Sequence, residues 1–353
     1  MKAVVKNSKE AGLSYLEMPK PEPKPNEVLI RVHAASICGT DIHYYKWNQA
    51  AEDFARKFHV HFPFIIGHEC AGEIVAVGSD VKTRKPGERV ALETHIPCGT
   101  CFNCMHGEAH NCSNMSVYGT SCNGCFAPYA AADEKIAYVL PDELSYEEGA
   151  LLEPAGVAMR AVEEACIEPG DTVVVNGAGP IGMFAVLLAK ASGAGRVIAF
   201  DMDSYRISMA EKLGAQAFDI RKVNNVEKVA ELCKNRGGAD VVIETSGSPK
   251  AYESIFDMIR LEGRIVTVGH PGGPVQVNIT QSINLKGARI KGIFGRRIWS
   301  TWDHLTALMA SGKVDLLDVV THRFRFSEYD KAFEQLKFGA GKILFIDEEA
   351  ECE

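Results

Sequence analysis

The run Asn176-Gly177-Ala178-Gly179-Pro180-Ile181-Gly182 constrains this chain more than any other stretch. It follows the apolar run Thr172–Val175 and opens a segment of helical composition, Pro180–Ser192. The spacing is G-x-G-x-x-G. Gly177 permits a tight turn, Gly179 lets backbone amides approach a pyrophosphate, and Gly182 allows a helix to pack closely on a sheet. The helix N-terminus, with Pro180 and Ile181 in its first turn, adds positive potential for the phosphates. A second apolar run, Arg196–Phe200, ends at Asp201, nineteen residues after Gly182 (201 − 182). An acid there accepts hydrogen bonds from the adenosine ribose and repels a 2′-phosphate, which points to NAD over NADP. Arg206 keeps the phosphate open, since a nearby Arg can accept it or stack on adenine. A glycine-rich turn in an unrelated α/β protein is the bland alternative, but it does not account for the flanking strand, helix and acid together.

The texture around this run divides the chain. Over 155–296, apolar runs alternate with helix-length amphipathic stretches: a helix over Asp203–Leu213, then strands over Asp240–Glu244 and Arg264–Val268. Such alternation predicts an α/β unit with a doubly wound parallel sheet. Over 1–154 the chain shows short β-rich runs, such as Glu27–Ala34 and Gly72–Val77, cut by Gly and Pro. That texture predicts an all-β fold such as a barrel. Residues 297–353 carry a helix, a strand, a helix and a last strand at Lys342–Ile346, too little for a domain. They are expected to fold back onto the first region, with the acidic end Asp347–Glu353 frayed.

With 38 basic against 46 acidic residues the net charge is −8, which argues against nucleic acid or an anionic membrane as main partner. No apolar run approaches the roughly 18 residues of a membrane span. The start, Met1-Lys2-Ala3-Val4-Val5-Lys6, reads as a strand and not as a secretory signal, so a cytoplasmic location is expected. Eleven cysteines in 353 residues are no disulfide scaffold. Four of them, in the pattern Cys98-x2-Cys101-x2-Cys104-x7-Cys112, suit a closed tetrahedral zinc site with no place for substrate, hence a structural one. Free thiols or an iron–sulfur cluster are the alternatives. Cys122 and Cys125 form another C-x-x-C, read as a reduced loop pair.

Three further segments supply ligands for a second, open site: Cys38 in Ser36–His43, His68 and Glu69 in Gly67-His68-Glu69, and Glu153 in Leu152-Glu153-Pro154. One thiolate, one imidazole and one or two carboxylates can hold zinc and leave room for water or an alcohol. Taken singly, each has a bland reading: a lone His is usually structural, and Glu69 can orient a ligand without touching metal.

In this order and over nearly the whole chain, the motifs resemble the zinc-containing medium-chain dehydrogenase superfamily, and within it the polyol and threonine dehydrogenases. The resemblance implies a GroES-like catalytic domain with two zincs, a Rossmann NAD-binding domain, an active site in the cleft between them, and a homotetramer or homodimer. In it Cys38, His68, Glu69 and Glu153 match the catalytic zinc positions, the two acids exchanging with water. Thr40 takes the alcohol proton and passes it through the nicotinamide ribose to His43. Asp201, Arg206 and Arg296 contact NAD, and His95 lies near substrate. The implied reaction oxidises a secondary alcohol to a ketone. The threonine branch is favoured by Cys38–His43 followed by Trp47-Asn48, by Glu93–Ile96, and by Gly295–Trp302 followed by Val320–Phe324. Trp299 and Trp302 read equally well as core or subunit-contact residues, and Gly287–Phe294 as an added edge strand. The stretch Trp47–Gly67 is several residues longer than in the threonine enzymes, which leaves a cyclic or linear polyol or an amino-sugar alcohol open as substrate. A non-catalytic NAD-binding protein on the same fold is expected to lack Cys38, His68 or the Thr40–His43 pair, and all are present.

Overall fold

The longest strand of the first unit, Glu27–Ser36, is buried at seven of its ten residues along EVLIRVHAAS, as a strand packed on both faces requires. In the computed structural model, which describes residues 1–346, this strand organises a seven-stranded sheet. The acidic end, Asp347–Glu353, lies outside the described residues. Glu69–Val77 and Tyr129–Asp133 pair with it antiparallel. Arg89–Leu92 and Ala137–Val139 extend the sheet on one side. On the other, Lys342–Ile346 lies antiparallel to it, with Leu344 opposite Ser36, and Val320–Phe324 follows. A second sheet joins Lys2–Lys6 to Ser14–Glu17 and Phe64–Ile65. This unit comprises residues 1–154 and 320–338 and resumes at Lys342. The tail thus enters the sheet as an interior strand. Phe345 is buried at its centre, against the rings of Phe126 and Phe326.

The β texture of residues 1–154 conceals helices, among them Gly39–Lys46 and Gln49–Lys57. The long stretch Trp47–Gly67 is therefore helical over nine of its residues. Trp47 takes a left-handed conformation (φ 45°) that ends the first helix. Asn48 then caps the second by accepting from the Ala51 amide at 3.2 Å. Phe62 packs edge to face on Trp47 and tilted against Phe64.

The second unit comprises residues 155–319 and 339–341. Its six parallel strands run in the order Gln216–Asp219, Arg196–Asp201, Thr172–Asn176, Ala239–Glu244, Ile259–Thr267 and Arg289–Gly292. Numbered within the unit this is 3-2-1-4-5-6, the doubly wound order with its switch point beside Thr172–Asn176. The three central strands are buried on both faces, which explains their uninterrupted Val, Ile and Ala content. Residues 297–319, expected to travel with the tail, cluster with this unit instead. The helix Ser300–Ala310 buries Trp302, Leu305 and Met309. Its Thr301 and His304 both bond the Glu163 carboxylate. Gly156 makes room for Trp302: a Cβ there would lie 2.7 Å from the indole nitrogen. No described helix is long and apolar enough to cross a membrane.

Candidate active site

The glycine run forms a turn between Thr172–Asn176 and the helix Pro180–Ala191. Gly177 has φ +106°, and a Cβ there would meet the Ser246 backbone at 2.8 Å. A Cβ on Gly182 would lie 1.9 Å from the Gly177 carbonyl oxygen, so the helix could not pack as it does. Gly179 differs. It leads the helix, and a Cβ there would meet nothing within 4 Å except Arg206 Nη1 at 3.9 Å. The space above it is the kind a diphosphate requires. Arg206 Nε is buried with no hydrogen-bond partner, which fits a cation awaiting an anion at this loop. Asp201 closes the second strand. Its Oδ2 accepts from the Ala178 amide at 2.8 Å, and Oδ1 accepts from Met202 and Asp203 at 2.8 and 2.9 Å. Arg296, expected at the cofactor, is 1% exposed and stands over the Trp302 ring.

Sequence reading missed Glu244, a buried acid at the end of its strand. It accepts from Asn176 Nδ2 at 2.6 Å and from the Ser246 and Gly247 amides at 2.7 and 3.0 Å. Burial raises its pKa. Thr245 next to it donates to the Gly177 carbonyl at 2.6 Å, so this acid-led turn braces the nucleotide loop. The run Glu244-Thr245-Ser246-Gly247 after a predicted strand was the available signal.

In the first unit, Cys98, Cys101, Cys104 and Cys112 bring their sulfurs within 4.8 Å of one another. Cys101 Sγ lies 3.5 Å from Cys104 Sγ and 3.8 Å from Cys112 Sγ. A tetrahedral zinc with Zn–S near 2.3 Å sets its sulfurs about 3.8 Å apart. Backbone amides of Cys101 and Asn114 donate to Cys98 Sγ and Cys112 Sγ at 3.4 and 3.3 Å. Amide and hydroxyl donors, chiefly from Thr100, pull the Cys98 thiol down to about 5. Burial and the Cys101 sulfur push Cys104 up to about 12. Four sulfurs gathered this closely make a donor set that fits a metal ion. Cys122 and Cys125 belong to no metal-competent group among the described residues, and both are free thiols.

A second group gathers Cys38, His68 and Glu69, each offering a ligand atom within 4.8 Å of the others. Cys38 leads the helix Gly39–Lys46, and Glu69 opens the strand Glu69–Val77. His68 and Glu69 are buried. The buried Asp41 accepts from the Cys38 amide at 2.9 Å and stands 3.8 Å from His68 Nδ1; burial pushes its pKa up to about 6. Burial opposes charge on His68, but Cys38, Asp41 and Glu153 outweigh it and hold its pKa well above the usual value. A thiol, an imidazole and a carboxylate within reach of one another form a donor set suited to a cation. Glu153 falls outside the 4.8 Å group; its Oε1 accepts from Thr94 Oγ1 at 2.6 Å. Glu69 is bonded by Ser36 Oγ and by the buried Lys342 Nζ, a partner that sequence reading missed.

Thr40 Oγ1 lies 3.9 Å from Cys38 Sγ. His43 Nδ1 lies 2.8 Å from Asn48 Nδ2, and the tautomer of the ring decides which nitrogen carries the proton. Burial and the Lys46 ammonium lower the His43 pKa. His95, buried on its short strand, pairs Nδ1 with Glu93 Oε1 at 2.8 Å.

Residues 24–142 match the alcohol dehydrogenase GroES-like domain and residues 180–311 the zinc-binding dehydrogenase domain. Over 98% of its length the chain is 39% identical to L-threonine 3-dehydrogenase of Bacillus licheniformis, covering 99% of that protein. Among solved structures, 2R,3R-butanediol dehydrogenase of Bacillus subtilis superposes with TM-score 0.87 at 29% identity, over 98% of this chain and 99% of the other. Galactitol-1-phosphate dehydrogenase of Escherichia coli gives TM-score 0.87 at 27% identity, over 98% and 100%. The chain belongs to the zinc-binding alcohol dehydrogenases. It is an oxidoreductase that oxidises a secondary alcohol to a ketone, with zinc and a nicotinamide cofactor, and its sequence is of the threonine dehydrogenase type.

Gly182→Ala is expected to weaken NADH binding by at least about tenfold, roughly 1.4 kcal/mol, and to leave metal content unchanged. Fluorescence titration with NADH and elemental analysis check this; unaltered affinity would refute the packing argument.

Proposed function

We propose that this enzyme is an NAD-dependent dehydrogenase that binds two zinc ions and oxidises the 3-hydroxyl of L-threonine. The full-length similarity to L-threonine 3-dehydrogenase carries the substrate reading. The fixed negative charge of Asp201 supports NAD, because it would repel a 2′-phosphate. The sulfur spacings support a structural zinc at Cys98, Cys101, Cys104 and Cys112. The helix Gln49–Lys57 favours a second reading, a polyol or sugar-alcohol substrate, because it enlarges the segment between Cys38 and His68.

Cys38, His68 and Glu69 hold the catalytic zinc, and Glu153 stands as a reserve acid. A zinc ion held there supplies positive charge that lowers the pKa of a bound alcohol toward neutrality. The Thr40 hydroxyl accepts the alcohol proton while giving up its own, so it relays without holding charge. His43 is the terminal base, and its lowered pKa keeps it neutral and receptive at pH 7. His95, steadied by Glu93, is a substrate-facing residue. Asp201, Arg206 and Arg296 serve the cofactor together with Gly177, Gly179, Pro180, Ile181 and Gly182.

Two copies pair through the strand Arg289–Gly292, whose four residues are all exposed at the sheet edge. Leu261, Leu285, Ile290 and Phe294 add exposed apolar surface in the same unit. Such pairing gives a dimer, or half of a tetramer.

NADH production on L-threonine, sorbitol, xylitol and inositols separates the two substrate readings, and threonine should exceed the rest by tenfold or more, about 1.4 kcal/mol in transition-state binding. Faster turnover of any polyol would overturn the threonine assignment. Cys38→Ser and His68→Ala are expected to abolish turnover and retain NADH binding, whereas Cys98→Ser lowers the melting temperature first; normal rates in either of the first two would defeat the catalytic site. The rate of alcohol oxidation should rise with pH through a limb below the ordinary histidine value, since His43 must be neutral to accept a proton. A pH profile unchanged in His43→Gln would remove His43 from the relay. Light scattering should give a multiple of the 38.5 kDa chain mass, reduced by Ile290→Lys; a monomeric wild type would end the edge-pairing proposal.

A further inference from the structure

The strand Lys342–Ile346 places a lysine where a core strand normally carries an apolar residue. Lys342 is 2% exposed. Its ammonium donates to the Ile37 carbonyl at 2.7 Å, one residue before Cys38, and to Glu69 Oε2, one residue after His68. Ser36 Oγ bonds the same Glu69 oxygen. The register explains the meeting. Leu344 stands opposite Ser36, Ser36 opposite Glu69, and the Ile37 amide donates to the Ile343 carbonyl at 3.1 Å. One buried cation therefore touches the segment that carries the Cys38 thiolate and the carboxylate that follows His68.

A buried ion pair is rarely a net source of stability, because desolvation offsets most of the attraction. An apolar pair of similar volume would serve the core as well. The pair does, however, change what Glu69 can do. A free carboxylate beside Cys38 and His68 would bind an ion there strongly and compete with an incoming alcohol for the open position. A carboxylate whose Oε2 is shared between an ammonium and a hydroxyl has less negative charge to give and less freedom to move.

We propose that Lys342 is a positioning residue for the open metal site, anchoring Glu69 by Oε2 so that its hold on the ion held by Cys38 and His68 stays weak enough to yield to an alcohol. The inference rests on the reading that these residues hold a metal. Lys342 itself touches neither substrate nor ion.

The test compares wild type with Lys342→Met, Lys342→Arg, Glu69→Gln and the double variant Lys342→Met/Glu69→Gln. Metal release from the zinc enzyme to a coloured chelator is followed, and the phase that disappears in Cys38→Ser is assigned to this site. The cobalt-substituted enzymes are examined by visible absorption, which weakens as coordination number rises. Lys342→Met is expected to slow release at this site at least fivefold, to weaken the cobalt bands and to raise KM for the alcohol more than it lowers kcat. Lys342→Arg restores wild-type release within twofold. In the Glu69→Gln background, loss of Lys342 changes release by less than twofold, because its target is gone. This comparison also serves if Lys342→Met alone fails to fold, since the double variant buries no unpaired charge. Release that is unchanged or faster in Lys342→Met with wild-type cobalt bands would overturn the inference. So would a fivefold or larger effect of Lys342 in the Glu69→Gln background. Absence of any Cys38-dependent phase would overturn the metal reading itself, and this inference with it.

Discussion

The buried contact between Lys342 and Glu69 is possible only because the tail strand occupies an interior place in the first sheet. Two charges inside a protein demand near-complete hydrogen bonding, or each costs several kcal/mol. Here Ser36, Ile37 and the opposing charge supply it. Side chains alternate faces along a strand, so a one-residue slip of Lys342–Ile346 would point the ammonium to the opposite face and strand Glu69 without a partner. Register, burial and electrostatics therefore select one another. The same pairing seats Phe345 against Phe126 and Phe326, so core packing and site charge both depend on one strand from the far end of the chain.

Two cation-seeking clusters stand in this unit, and their chemistry differs in a way that the geometry explains. The four-cysteine loop is a local structure: all four cysteines fall within fifteen positions, and amides of the same loop donate to the sulfurs of Cys98 and Cys112. Four sulfurs within 4.8 Å of one another would fill the four positions of a tetrahedral ion and leave no place for a further ligand. The second cluster is assembled from Cys38, His68 and Glu69, and its acid is already engaged elsewhere. Glu153, bonded to Thr94, stands outside the group. A site with a committed acid and a second acid held back is open in the sense that a closed thiolate cage is not.

What the sequence disclosed follows the range of the interactions. The glycine turn and the cysteine loop were legible because each is encoded within a few residues of itself. The doubly wound sheet was legible because its central strands are buried on both faces and read as apolar runs. The helix Gln49–Lys57 left a signal, Asn48 before a run of good helix formers, but the surrounding β texture obscured it. The helix Ser300–Ala310 was grouped with the tail because nothing local shows that Trp302 fits over Gly156. Lys342 was invisible as a functional residue. It lies 273 positions from Glu69, and a lysine at a strand start ordinarily reads as a solvated end.

Asp201 illustrates how one side chain can serve two ends of the same problem. Its oxygens accept three backbone amides, one from within the glycine run and two from the turn after its own strand. That engagement fixes the carboxylate in place and keeps its charge at the end of the second strand. Oδ2, which accepts only the Ala178 amide, retains a lone pair for a ribose hydroxyl. A 2′-phosphate would have to approach a carboxylate that cannot turn away. Arg206, the residue that raised the opposite reading, points Nη1 toward Gly179, where the diphosphate of either cofactor would lie. Its charge therefore favours the element common to NAD and NADP and does not distinguish the two.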